Sequence, residues 1–356
     1  MRLAQPHPSA AEPGPGDVHP ERLRALLTEW VSRLGLDLRD RVVVTEAGTN
    51  YFALTPLIAA QAGASRVFTV SRDSRWGSAA DAHAGVEELR RALGVPDRIT
   101  PLKRLDASVL GRADLVTNLG WVRPLDTDKI TCLRPDAVIA AMCEAWEIRD
   151  GDIDLGACAM RGIRVAALDE DHPLVDVFEH NALLAVKMLQ KLQIEIHDTR
   201  ICVVGRGKFA DRIAPFLERL GADVRRAPTL SGEQAARSLE RADALVIADY
   251  DRTDLILGEG GEMTVGELVK LSLHAAVVQF AGWIKPGELR AAGLRVFPEE
   301  ETGPRRMGRT MAYLGPGPLV ALHAAGLKAA SMLLDGSGPE GLLQEVRLNP
   351  CGHSGD

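Results

Sequence analysis

Short runs of Val, Ile, Leu and Ala recur along most of this chain, separated by longer stretches whose apolar residues fall at helical spacing. The first runs lie at residues 41–48 (RVVVTEAG), 66–73 (RVFTVSRD), 98–103, 113–120 (ADLVTNLG), 136–142 and 162–168 (GIRVAAL). Near-continuous apolar runs alternating with amphipathic segments are the pattern of a parallel sheet with crossover helices. The pattern predicts a five- or six-stranded α/β domain over about 38–170, preceded by a helix at 20–35.

A long apolar-striped helix is expected near 174–194. The rhythm then resumes with RICVVGRGKFADRIAPFLERLGADVRRAP (200–228), followed by strands near 242–249, 275–282 and 293–298. Residues 315–336 open with Gly and Pro and continue as an apolar helix. The fold class is therefore α/β, with two Rossmann-like, doubly wound parallel-sheet domains and a cleft between them. The expected boundaries are a disordered tail at 1–19, a first domain that binds substrate at 20–173, and a dinucleotide-binding domain at 174–314. A helix at 315–336 is expected to pack back toward the first domain, and 337–356 to form a flexible tail.

Composition narrows this little. Apolar residues make up 46% and aromatics only 4%, so aliphatic side chains must build the cores. The net charge of −7 and the lack of a Lys/Arg block with interleaved aromatics argue against a nucleic-acid partner. Cys132, Cys143, Cys158, Cys202 and Cys351 form no CxxC pair and no zinc-like set, which suits a reduced, cytoplasmic protein without a metal site. The N-terminus lacks the apolar segment of a signal peptide, and no run reads as a membrane span, so no membrane partner is expected.

The chemistry concentrates in Gly205, Gly207 and Ala210, a GxGxxA turn between strand 201–204 and a helix. The first glycine permits the tight turn and the second lets backbone approach a pyrophosphate. Alanine allows close helix–strand packing, and the helix N-terminus offers free N–H groups and a positive dipole. Arg206, Lys208 and Phe209 complete the turn. Ala248, Gln279 and Ala281, at the ends of strands 242–249 and 275–282, are the other expected cofactor contacts. An acid that would hold the ribose of NAD is absent where the next strand ends, at Pro228. Arg225 and Arg226 stand nearby, so the reading is NAD(P), leaning toward NADP.

Residues 149–189 followed by this turn resemble the D-isomer-specific 2-hydroxyacid dehydrogenases. Asp152, Ile153, Asp154, Leu155, Arg161, Gly162, Ile163 and Val165 match their N-I-D-L…R-G-I-x-V segment, and Glu179-His180 their crossing helix. The similarity covers about 149–330. Residues 242–258 also resemble the adenosylhomocysteine hydrolases. This resemblance implies a two-domain enzyme with an interdomain cleft and a homodimer built on the nicotinamide domain. The chain departs from it at two signature groups. Residues 278–283 carry no substrate-binding Arg, and residues 314–318 no catalytic His. His323 lies two turns into the late helix, where a packed role suits it better than a catalytic one.

Ligands of doubly wound domains bind beyond the carboxyl ends of the strands. Polar residues there include Glu46 and Thr49 after the first strand. The residues chosen for a small, anionic substrate are Asn50, Tyr51, Arg72, Arg75, Asn118, Trp121 and Arg123. His172, Glu144 and Glu147 are the candidates for general acid/base work. The chain thus reads as an NAD(P)-dependent dehydrogenase or reductase of a small hydroxy or oxo compound. The alternatives are a hydrolase- or lyase-like enzyme with tightly bound NAD, and a non-catalytic dinucleotide-binding protein.

Overall fold

The computed structural model describes residues 14–74, 76–336 and 341–346. Arg75 and most of the two tails expected to be loose lie outside these residues. The chain opens with α1 (Pro20–Arg33), β1 (Val42–Glu46), α2 (Leu54–Gln61), β2 (Arg66–Val70), α3 (Ala79–Leu93) and β3 (Ile99–Leu102). It continues through α4 (Ala107–Leu110), β4 (Leu115–Thr117), α5 (Thr127–Cys132), β5 (Val138–Ala140), α6 (Leu155–Arg161) and β6 (Arg164–Leu168).

A second compact unit spans Val177–Leu314. It holds α7 (Val177–Lys191), β7 (Arg200–Val204), α8 (Lys208–Arg219), β8 (Asp223–Ala227), α9 (Gly232–Leu239), β9 (Ala244–Ala248) and β10 (Leu255–Leu257). There follow α10 (Val265–Leu271), β11 (Ala276–Ala281), β12 (Trp283–Ile284), α11 (Pro286–Ala291) and β13 (Val296–Phe297). The chain then returns to the first unit with α12 (Pro316–Leu334) and β14 (Leu343–Glu345).

Local chemistry sets many of these limits. Ser78 and Asp81 form a capping box that starts α3, and Gly94, at φ +66°, closes it. Asp106, Asp126 and Asp154 cap α4, α5 and α6 through side-chain oxygens that accept first-turn N–H groups. The helix expected at 174–194 begins only at Val177, because Asp176 turns to φ +42°.

The first sheet has the order β14-β6-β5-β4-β1-β2-β3, parallel throughout except for the antiparallel edge strand β14. β14 lies in the stretch expected to be a flexible tail. Its three residues pair with Ala166–Leu168, which a Gly- and Pro-rich neighbourhood hid in the sequence. Val44, Val116, Ile139 and Val165 face α4–α6 in one apolar core. Val43 and Leu115 point to the opposite face, where the buried Thr117 hydroxyl donates to Thr45 Oγ1 (2.9 Å).

α12 corrects the expectation that no segment is long and apolar enough to span a membrane: by length and composition this helix is. In the fold, 13 of its 19 residues are buried. Gly326 lets it come close to β5, since a Cβ there would lie 2.8 Å from Met142 Sδ. His323 on this helix is buried and its Nδ1 meets Thr55 Oγ1 at 2.6 Å. The threonine hydroxyl donates to Phe52 O, so the ring N–H donates to the threonine oxygen.

The second unit has a five-stranded parallel sheet of order β13-β11-β9-β7-β8 and a separate parallel pair, β10-β12. Phe209 stacks obliquely or edge-on against Phe178, Tyr250 and Phe280, with ring centroids 5.4–5.7 Å apart. Strand order reverses between β1 and β4 in one sheet and between β7 and β9 in the other. In doubly wound sheets ligands bind outside the carboxyl ends of the strands at such a reversal.

Candidate functional site

At the reversal in the second unit, β7 ends at Val204 and α8 begins at Lys208. Gly205 has φ +127°, and a Cβ on it would lie 2.7 Å from Asp249 Cβ and 2.8 Å from the Ala248 carbonyl. The end of β9 therefore packs directly on the turn. Gly207, the N-cap of α8, has φ +83° and is exposed. A Cβ there would meet nothing nearer than Asp251 Oδ2, at 3.9 Å. The first glycine is thus required by the protein's own packing. The second is required by its backbone conformation and leaves open space above the helix N-terminus. Ala210 is buried with no exposure, which lets α8 lie close to the sheet.

Two acids missed in the sequence flank the turn. Asp249 is buried at the end of β9, where burial pushes its carboxyl up; Asp251 adds to this, while Arg252 and Arg206 oppose it. The signal was present in the sequence, since ALVIADYD places both acids just past a strand.

Several expected cofactor contacts have other positions. Phe209 is a core side chain, so only its backbone N–H is available to a ligand. Gln279 is wholly buried, and its Nε2 donates to the Gly282 and Thr302 carbonyls (2.8 and 3.2 Å). It anchors the 299–310 segment, which lies so close to β11 that only glycine fits at position 308. Ala281 bridges to Met307 in the same segment. Arg225 points away from the strand end, donating to the Arg237 and Glu240 carbonyls (3.0 and 3.1 Å) that close α9. Arg226 is exposed and pairs with Asp211 in the first turn of α8, beside the glycine turn. Lys208 sits over the Phe178 ring at 5.0 Å.

In the first unit the expected residues spread along the carboxyl edges of β1, β2, β4, β5 and β6. Asn50 opens a short 3-10 helix at φ +54°. That turn carries Tyr51 inward to 2% exposure, where it packs in the core. Arg72 is exposed after β2. Arg123 is half-buried and held by Asp152 at 3.0 Å, which also takes Arg149, so it is not a waiting anion clamp. His172 accepts the Leu174 N–H on Nδ1 and packs against Gly341.

Glu144 is wholly buried after β5. It receives the Trp146 indole N–H and the Glu170 backbone N–H, and Glu147 accepts the Glu144 N–H. Carboxylate oxygens of Glu144, Asp169 and Asp171 lie within 4.8 Å of one another, a set able to hold a cation. Cys143 beside them is no nucleophile, because burial, together with Glu147 and Glu170, pushes its thiol well up.

The residue most changed by its surroundings is Glu46, noted in the sequence as a strand-end acid but not selected. It is 4% exposed at the end of β1, and burial raises its carboxyl to about 7 against the Trp121 N–H and the Arg123 charge. Trp121 contributes through its backbone, donating to Glu46 Oε2 at 3.0 Å. Asn118, at the end of β4, is 3% exposed, and its Oδ1 has no hydrogen-bond partner.

No protein-family model matches the sequence, and no curated protein matches it. Solved structures do. A dipicolinate synthase polypeptide from Bacillus halodurans is 15% identical with a TM-score of 0.47, covering 84% of this chain and 98% of its own. The NAD-dependent formate dehydrogenase from Staphylococcus aureus, solved in complex with NAD, is 10% identical with a TM-score of 0.44, covering 85% and 98%. The D-lactate dehydrogenase from Escherichia coli is 11% identical with a TM-score of 0.44, covering 85% and 99%.

Proposed function

We propose that the 177–314 unit binds a nicotinamide dinucleotide and that the protein is an NAD(P)-dependent oxidoreductase of a small hydroxy or oxo compound. The observation that carries this is Gly207: an exposed glycine at positive φ, capping a twelve-residue helix at the strand reversal, with open space where a side chain would stand. A pyrophosphate fits such a cradle. The first-turn N–H groups of α8 would hold it, with the helix dipole adding attraction. When bound, the nicotinamide supplies hydride chemistry. The protein's part is to seat the dinucleotide and to keep bulk from the turn through Gly205 and Ala248.

The adenosine end favours NADP. Ala227 and Pro228 stand where an NAD enzyme places an acid, and Arg226 is the one cation of the expected pair that stays on that side. A 2′-phosphate would compete with Asp211 for it. The anionic character expected of the substrate is not carried into this proposal, since Asp152 already engages Arg123.

The test is to titrate dialysed protein with NADH and with NADPH, following nicotinamide fluorescence. Binding of both, tighter for NADPH, is the expected result, and folded protein that binds neither refutes the reading. Denaturing the purified protein and assaying released dinucleotide separates a cofactor that turns over from one held permanently.

A further inference from the structure

The carboxyl ends of β1 and β4, at the strand reversal of the first unit, hold polar groups that the dinucleotide reading does not use. The two strands run parallel with Val43 beside Leu115 and Val44 beside Val116. The Thr45–Thr117 hydroxyl bond continues that register by one residue. The next pair is Glu46 and Asn118, on the same face of neighbouring strands whose backbones lie about 4.8 Å apart. Both side chains are more than nine-tenths buried.

Each lacks something that a ligand would supply. Among the described residues, the only hydrogen bond to the Glu46 carboxyl is the Trp121 N–H on Oε2, so Oε1 has no protein donor. Asn118 Oδ1 is a buried acceptor with no partner, an unfavourable state when nothing relieves it. Two glycines border the carboxyl. A Cβ at Gly120 would lie 3.1 Å from Oε2, with no other protein atom within 4 Å, and a Cβ at Gly48 would lie 3.4 Å from Oε1. Gly120 is exposed, so nothing but bare backbone stands over the buried acid at that point.

We infer that Glu46 and Asn118 form a small-molecule site in the first unit, which accepts hydrogen bonds from an amino or hydroxyl group of its ligand. Above pH 7, where Glu46 is ionised, two unfilled acceptors on neighbouring strands favour N–H or O–H donors and disfavour a carboxylate. Arg123, the nearest cation acting on Glu46, is committed to Asp152.

The test is a titration at pH 8 of the 15N-labelled full chain with ethanolamine, without dinucleotide, followed at the Trp121 backbone amide and the Asn118 side-chain amide, with acetate as the anionic control. Saturable shifts at both residues with ethanolamine and none with acetate are expected. Glu46→Gln should weaken ethanolamine at least tenfold, and Asn118→Asp, which adds a second carboxylate, should tighten it several-fold. If Glu46→Gln does not fold, Asn118→Asp decides. No shift with ethanolamine, equal shifts with acetate, or an affinity unchanged in the folded variants overturns the inference. Because no dinucleotide is present, failure here leaves the reading of the second unit standing, and failure there does not touch this one.

Discussion

Glu46 and His323 are both buried in the first unit, and their titrations push its stability in opposite directions. Glu46 is raised from 4.5 to about 7, so the folded state holds a proton that the unfolded chain has lost. Its contribution is complete below pH 4.5 and disappears as pH rises toward 7. His323 is lowered from 6.5 to about 4 by burial, so its contribution is complete above pH 6.5 and disappears as pH falls toward 4. Each shift corresponds to something on the order of 3 kcal/mol. Relative to the parent, Glu46→Gln should therefore gain stability as pH rises from 4.5 to 7, and His323→Leu should gain it as pH falls from 6.5 to 4. Chemical denaturation at a series of pH values checks both, and parallel pH profiles for parent and variants would contradict the assignment. At Gly207 the expectation is functional. Gly207→Val forces a branched side chain to φ +83° and fills the open space, so NADPH binding should fall at least a hundredfold in the same fluorescence titration while the parent's fold persists.

At the scale of elements, the strands and helices that build both sheets were legible because parallel strands covered on both faces are written as unbroken apolar runs. What escaped were pieces of two or three residues, β10, β12 and β14, too short to carry a period. The glycine turn was legible because its glycines are fixed by the backbone. Side-chain direction was not. Tyr51 and Phe209 follow strands as ligand residues do, yet both are core, while Glu46 ends β1 on its inward face. Arg225 and Arg226 are adjacent in sequence, and strand alternation sends them to opposite faces of β8. Their variants should differ accordingly. Arg226→Ala should weaken NADPH about tenfold and NADH little, as isothermal titration would read. Arg225→Ala should lower stability by about 1 kcal/mol through the uncapped end of α9 and leave cofactor preference unchanged, as paired denaturation and binding curves would read.

For the whole molecule, the ligand expected in one unit should be visible as heat resistance. A dinucleotide at a hundred times its dissociation constant adds about 2.7 kcal/mol to the unit that binds it. Scanning calorimetry with saturating NADPH should therefore raise the transition that belongs to residues 177–314, and an unmoved trace would count against binding there. The other unit has a different dependence. Its sheet and core are assembled from two separated stretches of chain, because α12 and β14 come after residue 314. On a ribosome, residues 177–314 clear the exit tunnel before α12 does. The unit that begins the chain must wait for its last helix, and the unit that follows it is free to finish first. Synthesis should thus invert the order of the sequence. Stalled nascent chains that end at residue 314 and continue as a Gly/Ser linker long enough to fill the exit tunnel should resist protease over 177–314 and remain open to cleavage before it.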